Sequence, residues 1–161
     1  MVSRRRIAVV YNEPSPSRYD TTGEEKAALG VLESVEAVSR ALLDLGYDTL
    51  NIPLASPIEA AREKLGSLKV DLVFNLFEGF CGQPETEAMV PDFLAGLGIA
   101  YTGCPASALK VALDKAKSKQ IMKAAGIKTP DSQLLTSEAL SRFNLGYPCI
   151  VKPRGEDASH G

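Results

Sequence analysis

The sequence predicts an α/β fold built around a parallel sheet, and three of its features support that fold class. Ile7–Tyr11 and Val70–Asn75 are short apolar runs rich in β-branched residues, which is typical of buried central strands. A long amphipathic helix pattern lies between them, followed by a further strand and helix. A strand–helix–strand–helix–strand order implies a parallel sheet with right-handed crossovers.

Local signals mark the ends of these elements. Thr22 and Glu25 match a capping box at the start of the long helix, and Gly46 stands where that helix is expected to end. Because a proline is tolerated in the first turn of a helix but not in its interior, Pro91 restricts the third helix to residues 90–97. The other elements are predicted, in chain order, as a strand over 47–53, a helix over 57–65, a strand over 70–75 and a strand over 99–102.

The rest of the chain is predicted to begin a second domain. Gly103–Pro105 marks the boundary, so residues 1–104 form the first domain and residues 105–161 the start of the next. Lys115, Lys119 and Lys123 form a basic stripe along a helix, which by itself indicates a solvated face. In chain order, this part is predicted to contain helices over 106–113 and 114–125, the second closed by Gly126, an edge strand over 132–135, a short helix over 136–142 and a strand over 147–152.

Composition and charge exclude several classes of function. A net charge of -2 gives no sign of a nucleic-acid footprint. No apolar run approaches the roughly 20 residues that a membrane span needs, and Arg4–Arg6 leads directly into a strand rather than into a signal peptide. The 3 cysteines show no Cys-x-x-Cys spacing, and there is a single histidine, so neither a disulfide framework nor a zinc site is indicated. We therefore expect a cytoplasmic protein.

Two regions are candidates for chemistry. Ligands of open parallel sheets bind beyond the carboxyl ends of the strands, which points to the loops over 12–23 and 76–87. The second loop carries Glu78, Glu85 and Glu87, which without further information are ordinary solvated carboxylates.

The stretch over 147–161 has the pattern of a phosphate-binding loop. An apolar strand-like run delivers Lys152 to its end, and Pro153 stops the strand. The loop bounded by Gly155 and Gly161 can turn successive N–H groups toward one anion, beside the lysine charge. The residues alone suggest a nucleotide-phosphate clamp, with an ordinary strand end and surface loop as the alternative.

Three blocks of sequence have a distinctive order. The last is Ile-Val-Lys-Pro over 150–153, followed by Glu-Asp-Ala-Ser-His-Gly over 156–161. The first is 74–79 with 86–90, and the middle one is 96–103 leading to the Leu-Asp-Lys of 113–115. Together they resemble the D-alanine–D-alanine ligase-like branch of the ATP-grasp superfamily, with the last block similar to the strand and mobile glycine-rich loop of that family.

This resemblance implies a fold and a reaction. The fold is a Rossmann-like, pre-ATP-grasp amino-terminal domain followed by the beginning of an ATP-grasp domain. In the reaction, ATP phosphorylates a carboxylate, and an amine then attacks the acyl-phosphate. Lysines at the positions of Lys115 and Lys152 contact ATP phosphates or adenine in the family, while the loop carrying Glu156, Ser159 and Gly161 closes over the phosphates. The family's magnesium ligands fall beyond position 161, so we expect no metal site within this chain and no activity from it alone.

The resemblance also bears on the substrate, which it implies to be an amino acid or a peptide. Glu78-Gly79 replaces the histidine-glycine pair that is usual in the family, and Glu87 matches a glutamate of its less characterised relatives. Glu78 and Glu87 are therefore candidate substrate contacts, and Glu87 is the one candidate for a catalytic role. Glu25 is better explained by the capping box than by contact with a substrate ammonium. A homodimer is compatible with the resemblance.

Two other functions stay open at this point. One is a non-catalytic α/β module that binds a small ligand or a partner subunit, with the scaffold kept and the chemistry lost. The other is a redox or flavin-binding open sheet, and the lack of a glycine-rich phosphate fingerprint after the first strand argues against it.

Overall fold

A computed structural model describes residues 4–14, 24–80 and 83–155, with the helical backbone alone over 24–29. The chain divides into two compact units, Met1–Ala106 and Ser107–Gly161. The first contains β1 (Arg6–Asn12), α1 (Glu24–Asp44), β2 (Asp48–Leu54), α2 (Ile58–Gly66), β3 (Leu72–Leu76), α3 (Thr86–Gly96) and β4 (Ala100–Tyr101). Next come α4 (Ala106–Leu113), α5 (Lys115–Ala124) and a 3-10 helix (Ser137–Arg142).

The four strands of the first unit form one parallel sheet in the order β2-β1-β3-β4. The predicted α/β fold class with a parallel, Rossmann-like sheet is confirmed. From β1 the chain passes to β2 on one side and later returns to β3 on the other side. The loops that follow β1 and β3 therefore leave a topological switch point, where open α/β sheets place their ligands.

Strand β1 contributes to the hydrophobic core on both faces of the sheet, because its successive side chains alternate between the two faces. Ala8 and Val10 are fully buried in a cluster with side chains of α2 and α3. Val9 and Tyr11 face the opposite way and pack against α1. With both faces covered by helices, the strand is apolar along its length, as expected of a central parallel strand.

Three helices end in the same way, each at a glycine. Gly46, Gly98 and Gly126 have φ angles of 87°, 69° and 73°. After α1, the N–H of Tyr47 donates to the C=O of Leu42, and the N–H of Gly46 donates to the C=O of Leu43. This is the Schellman pattern, which satisfies the last carbonyls of the helix and needs a left-handed residue.

The predicted start of the third helix is wrong. α3 begins at Thr86, and Pro91 lies in its interior rather than in its first turn. A proline there removes the hydrogen bond to the carbonyl four residues earlier. Burial offsets this loss, since Pro91 is fully buried and Val90 and Leu94 of the same helix belong to the core.

Two predicted strands are absent from the described residues. The stretches over 132–135 and 147–152 have no ladder partner there. Tyr147, Ile150 and Val151 are 85%, 77% and 81% exposed. Apolar β-branched residues favour a strand only where another strand can pair with it, and nothing in the described chain does so. The predicted helix over 136–142 is a 3-10 helix from Ser137, which follows Thr136.

Two further predictions concern the start of α1 and membrane-spanning helices. The capping box at Thr22 lies outside the described residues. None of the described helices is long and apolar enough to cross a membrane.

Candidate functional site

The first candidate site lies at the carboxyl ends of β1 and β3, where Asn12 joins the two strand ends. Its Nδ2 donates to the C=O of Gly79 over 2.6 Å, and its Oδ1 accepts from the N–H of Glu78 over 2.9 Å. One carboxamide thus satisfies a donor and an acceptor of the loop after β3. The loop is fixed at the topological switch point.

Gly79 and Thr86 also constrain this loop, where it approaches the start of α3. Gly79 has φ 91°, and a Cβ atom at this position would lie 3.3 Å from the backbone nitrogen of Glu87. The hydroxyl of Thr86, a residue only 2% exposed, accepts from the N–H of Phe80 and donates to the C=O of Gln83. The described residues of this loop are therefore held by hydrogen bonds to Thr86.

The two predicted carboxylates lie on this braced segment. Glu78 is exposed, with its backbone N–H held by Asn12. Glu87 is half-buried in the first turn of α3, where a carboxylate interacts favourably with the helix dipole. The structure brings the backbones at Gly79 and Glu87 together. Among the described residues, no group of three or more His, Cys, Asp or Glu side chains could hold a metal ion.

The second candidate site lies within the second unit, at the start of α5. Asp114 is the N-cap, and its Oδ1 accepts from the N–H groups of Ala116 and Lys117, each over 3.1 Å. Capping by an aspartate satisfies two of the free N–H groups at a helix start. Lys115, the first residue of α5, is half-buried.

Arg154 joins this helix start to a distant segment. Its Nε and Nη2 donate to Asp114 Oδ1 and Oδ2 over 2.9 and 2.5 Å, in a bidentate pair. The N–H of Lys115 also donates to the C=O of Arg154 over 3.1 Å. Hydrogen bonding by Arg154, with a further contribution from the Lys117 N–H, holds the pKa of the Asp114 carboxyl well below its usual range. The carboxylate in turn raises the pKa of Arg154.

The lysines of the predicted stripe make different contacts in the structure. Lys119 Nζ donates to the C=O of Pro130 over 2.6 Å, and Lys123 pairs with Asp131 at 3.9 Å. These two lysines hold the chain that follows α5. Lys152 is exposed, two residues before Arg154, on the segment that Arg154 ties to α5. The remaining predicted loop residues, Glu156, Ser159 and Gly161, lie outside the described residues.

Comparison with known proteins gives the family. No protein-family model matches the chain. A D-alanine–D-alanine ligase of Pseudomonas entomophila is 33% identical over 159 residues, which are 97% of this chain and 45% of that protein. A D-alanine–D-alanine ligase of Thermotoga maritima is 35% identical over 130 residues, 81% of this chain and 41% of that protein. The chain belongs to the D-alanine–D-alanine ligase-like family.

The fold agrees with this relationship. The crystal structure of D-alanine–D-alanine ligase from Bacillus anthracis matches 96% of this chain and 47% of its own, with a TM-score of 0.60 and 20% identity. At that identity the match concerns the fold alone. The chain spans less than half the length of these curated relatives and of this solved structure.

Two features of this family member were not expected from its sequence. Asn12 is the last residue of β1, and a polar residue at a strand end is a signal that could have placed it at the switch point. Asp114 and Arg154 are 40 residues apart. No periodic pattern links them, although an aspartate directly before a helix is a recognisable N-cap signal.

Proposed function

We propose that these 161 residues are the amino-terminal part of an ATP-dependent carboxylate–amine ligase that acts on amino acids or peptides. One observation carries the proposal. The hydrogen bond from the Lys115 N–H to the Arg154 C=O, 3.1 Å long, puts the start of α5 beside the segment that bears Lys152. The two lysines that match the family's ATP contacts are therefore on neighbouring backbones.

The residues at this place suit a triphosphate. Lysine ammonium groups are compact charges that bind phosphate oxygens without a fixed fork geometry. Two of them on adjacent segments can neutralise more than one phosphate and orient the terminal one. Bound ATP would supply the phosphoryl group that activates the substrate carboxylate. We propose that Lys115 and Lys152 bind it, with Glu156, Ser159 and Gly161 following in the loop.

The substrate side is proposed to lie at the switch point of the sheet. The Glu78 carboxylate, on a loop fixed by Asn12, offers an exposed negative charge that suits the ammonium group of an amino acid or peptide. Glu87 is the second candidate contact and the candidate for a catalytic role. We propose that the Mg²⁺ ligands lie outside these residues, and that residues 105–161 begin the ATP-grasp domain. On this proposal the 161 residues by themselves do not catalyse ligation.

The test uses the protein as its host produces it and compares two lysine variants. Lys152→Ala should weaken ATP binding about ten- to hundredfold, as expected for loss of a hydrogen bond between charged groups. Turnover, followed by ADP release with a panel of amino acids, should fall with it. The melting temperature should stay unchanged because Lys152 is exposed. Lys123→Ala removes a lysine of the same unit outside the proposed site and is the matched control. Unaltered ATP affinity in Lys152→Ala would remove this residue from the site.

The alternative is a non-catalytic α/β module that binds a small ligand or a partner subunit. The intact mass of the protein from its host separates the two. A mass near twice 17.2 kDa supports the ligase, whereas a mass near 17.2 kDa supports the module. The cytoplasmic location and the homodimer stay predictions.

A further inference from the structure

The ion pair between Asp114 and Arg154 differs from the other described ion pair of the second unit. Lys123 and Asp131 approach only to 3.9 Å, and their side chains are 53% and 88% exposed. Asp114 and Arg154 meet through two hydrogen bonds, and the Asp114 side chain is 27% exposed. A bidentate guanidinium–carboxylate pair fixes both distance and orientation, which a single long contact does not.

The position of the pair in the chain links it to both proposed ATP lysines. Asp114 directly precedes Lys115, and Arg154 follows Lys152 by two residues, a span of at most about 7 Å of extended chain. The Lys115 N–H donates to the Arg154 C=O as well. The two lysine-bearing backbones are therefore joined once through side chains and once through the main chain.

We infer that Asp114 and Arg154 are positioning residues, whose pairing holds Lys115 and Lys152 in register for a single triphosphate. The inference rests on the proposed function, which assigns these lysines to ATP. Capping of α5 alone does not require Arg154, because the Ala116 and Lys117 N–H groups both donate to Oδ1. Arg154 donates to both carboxylate oxygens, and Oδ2 accepts from Arg154 without contacting either of these helix N–H groups. The exposed 151–154 segment gains little from apolar burial, so the pair sets its position against α5.

The experiment measures ATP binding by calorimetry in the protein as its host produces it. Asp114→Asn keeps a good N-cap oxygen but removes the charge, while Arg154→Ala removes the guanidinium. Each should weaken ATP binding about three- to tenfold, because lysines held in a looser register bind the phosphates less well. Arg154→Lys should restore only part of the affinity, since an ammonium cannot form the fork.

Two readouts separate positioning from general stabilisation. Binding of inorganic tripolyphosphate should fall by the same factor as binding of ATP, whereas binding of adenosine should not change. The double variant Asp114→Asn/Arg154→Ala should bind ATP no more weakly than the single variant with the lower ATP affinity, because both changes break the same pair. Lys123→Ala, which breaks the neighbouring exposed pair, should leave all three affinities unchanged.

Each outcome has one meaning. Equal losses for adenosine and tripolyphosphate, or additive losses in the double variant, would overturn the positioning role. Unchanged ATP affinity in Arg154→Ala, together with weakened binding in Lys152→Ala, would overturn this inference and leave the proposed function standing. Unchanged affinity in Lys152→Ala itself would instead contradict the proposed function.

Discussion

The two units of this chain are stabilised by different interactions. In the first, side chains of β1, β2, β3, α2 and α3 pack into one fully buried cluster, and β1 shares its other face with α1. In the second, neither α5 nor the 3-10 helix contains a buried residue. The side-chain contacts described there are mostly polar, among them Asp114 with Arg154 and Lys119 with Pro130, beside one ring contact between Phe143 and Tyr147. The first unit is a hydrophobic sandwich of sheet and helices, whereas the second depends more on hydrogen bonds and charge.

The difference teaches what an apolar pattern can establish. The run over 7–11 became a central strand because two parallel neighbours pair with it. The similar run over 149–151 has Ile150 and Val151 largely exposed and no pairing in the described chain. A β-branched run is a statement about packing surfaces, and its structure depends on whether partners are present.

The largest effect expected from this comparison concerns matched leucines. Leu65→Ala empties a fully buried site in the first unit and should lower the free energy of unfolding by about 2–5 kcal/mol. Leu140→Ala in the second unit removes a side chain that is 61% exposed, so a change within about 0.5 kcal/mol is expected. Urea denaturation of both variants measures the two values. Similar losses would show that the second unit buries Leu140 after all, and would break the comparison.

Most of the first unit could be predicted from the sequence. Short apolar runs rich in β-branched residues indicated β1 and β3, and the glycine at 46 indicated the end of α1, because those signals act within a few residues. Pro91 misled the prediction of α3, since its local cost is offset by burial against residues far along the chain. Packing of that kind has no local pattern.

The residues of the candidate sites also divide into those that short sequence patterns indicated and those that no local pattern indicated. Lys115, Lys152 and Glu78 were indicated by short motifs, and the structure shows which segments carry them. Asn12 and Arg154 were not singled out, because each acts through one hydrogen-bonded partner segment that lies 40 or more residues away. Long-range polar contacts are therefore the part of this site that sequence patterns leave undetermined.

The next largest effect on stability is expected from a pair of glycine variants, which test whether the β3–α3 loop is rigid. Gly79→Ala should lower the free energy of unfolding by about 1–3 kcal/mol, because a side chain at φ 91° is strained and its Cβ would press on the Glu87 nitrogen at 3.3 Å. Gly46→Ala carries the strain alone, since a Cβ there meets nothing within 4 Å. Thermal unfolding should rank Gly79→Ala below Gly46→Ala in stability. The reverse order would mean that the loop yields easily and does not fix Glu78.

A smaller effect is expected from Asn12→Ala. The Glu78 N–H and the Gly79 C=O would lose their partner in a half-buried place, at a cost of about 1–2 kcal/mol in the free energy of unfolding. Under the proposed function, the KM of the protein as its host produces it for the amino-acid substrate should also rise, because Glu78 is no longer held. The control is Asn144→Ala in the second unit, whose exposed side chain makes no hydrogen bond to the described residues. A raised KM in the control, or an unchanged KM in Asn12→Ala, would contradict this role for the switch-point loop.

The smallest effect is a pH dependence that comes from Asp114 in the second unit. The folded state lowers the pKa of Asp114, mainly through its hydrogen bonds with Arg154, so the unfolded state binds the proton more readily. The stabilisation is therefore complete above the ordinary aspartate pKa of about 3.9, and it declines as the pH falls from there toward the lower folded pKa. Melting temperatures of the wild type and of Asp114→Asn should differ at pH 6 and converge toward pH 3. The Leu65→Ala difference, which has no charge in it, should stay constant over the same range. If the Asp114→Asn difference were equally constant, the charge of Asp114 would contribute nothing, and hydrogen bonding by a neutral cap would suffice to hold Arg154.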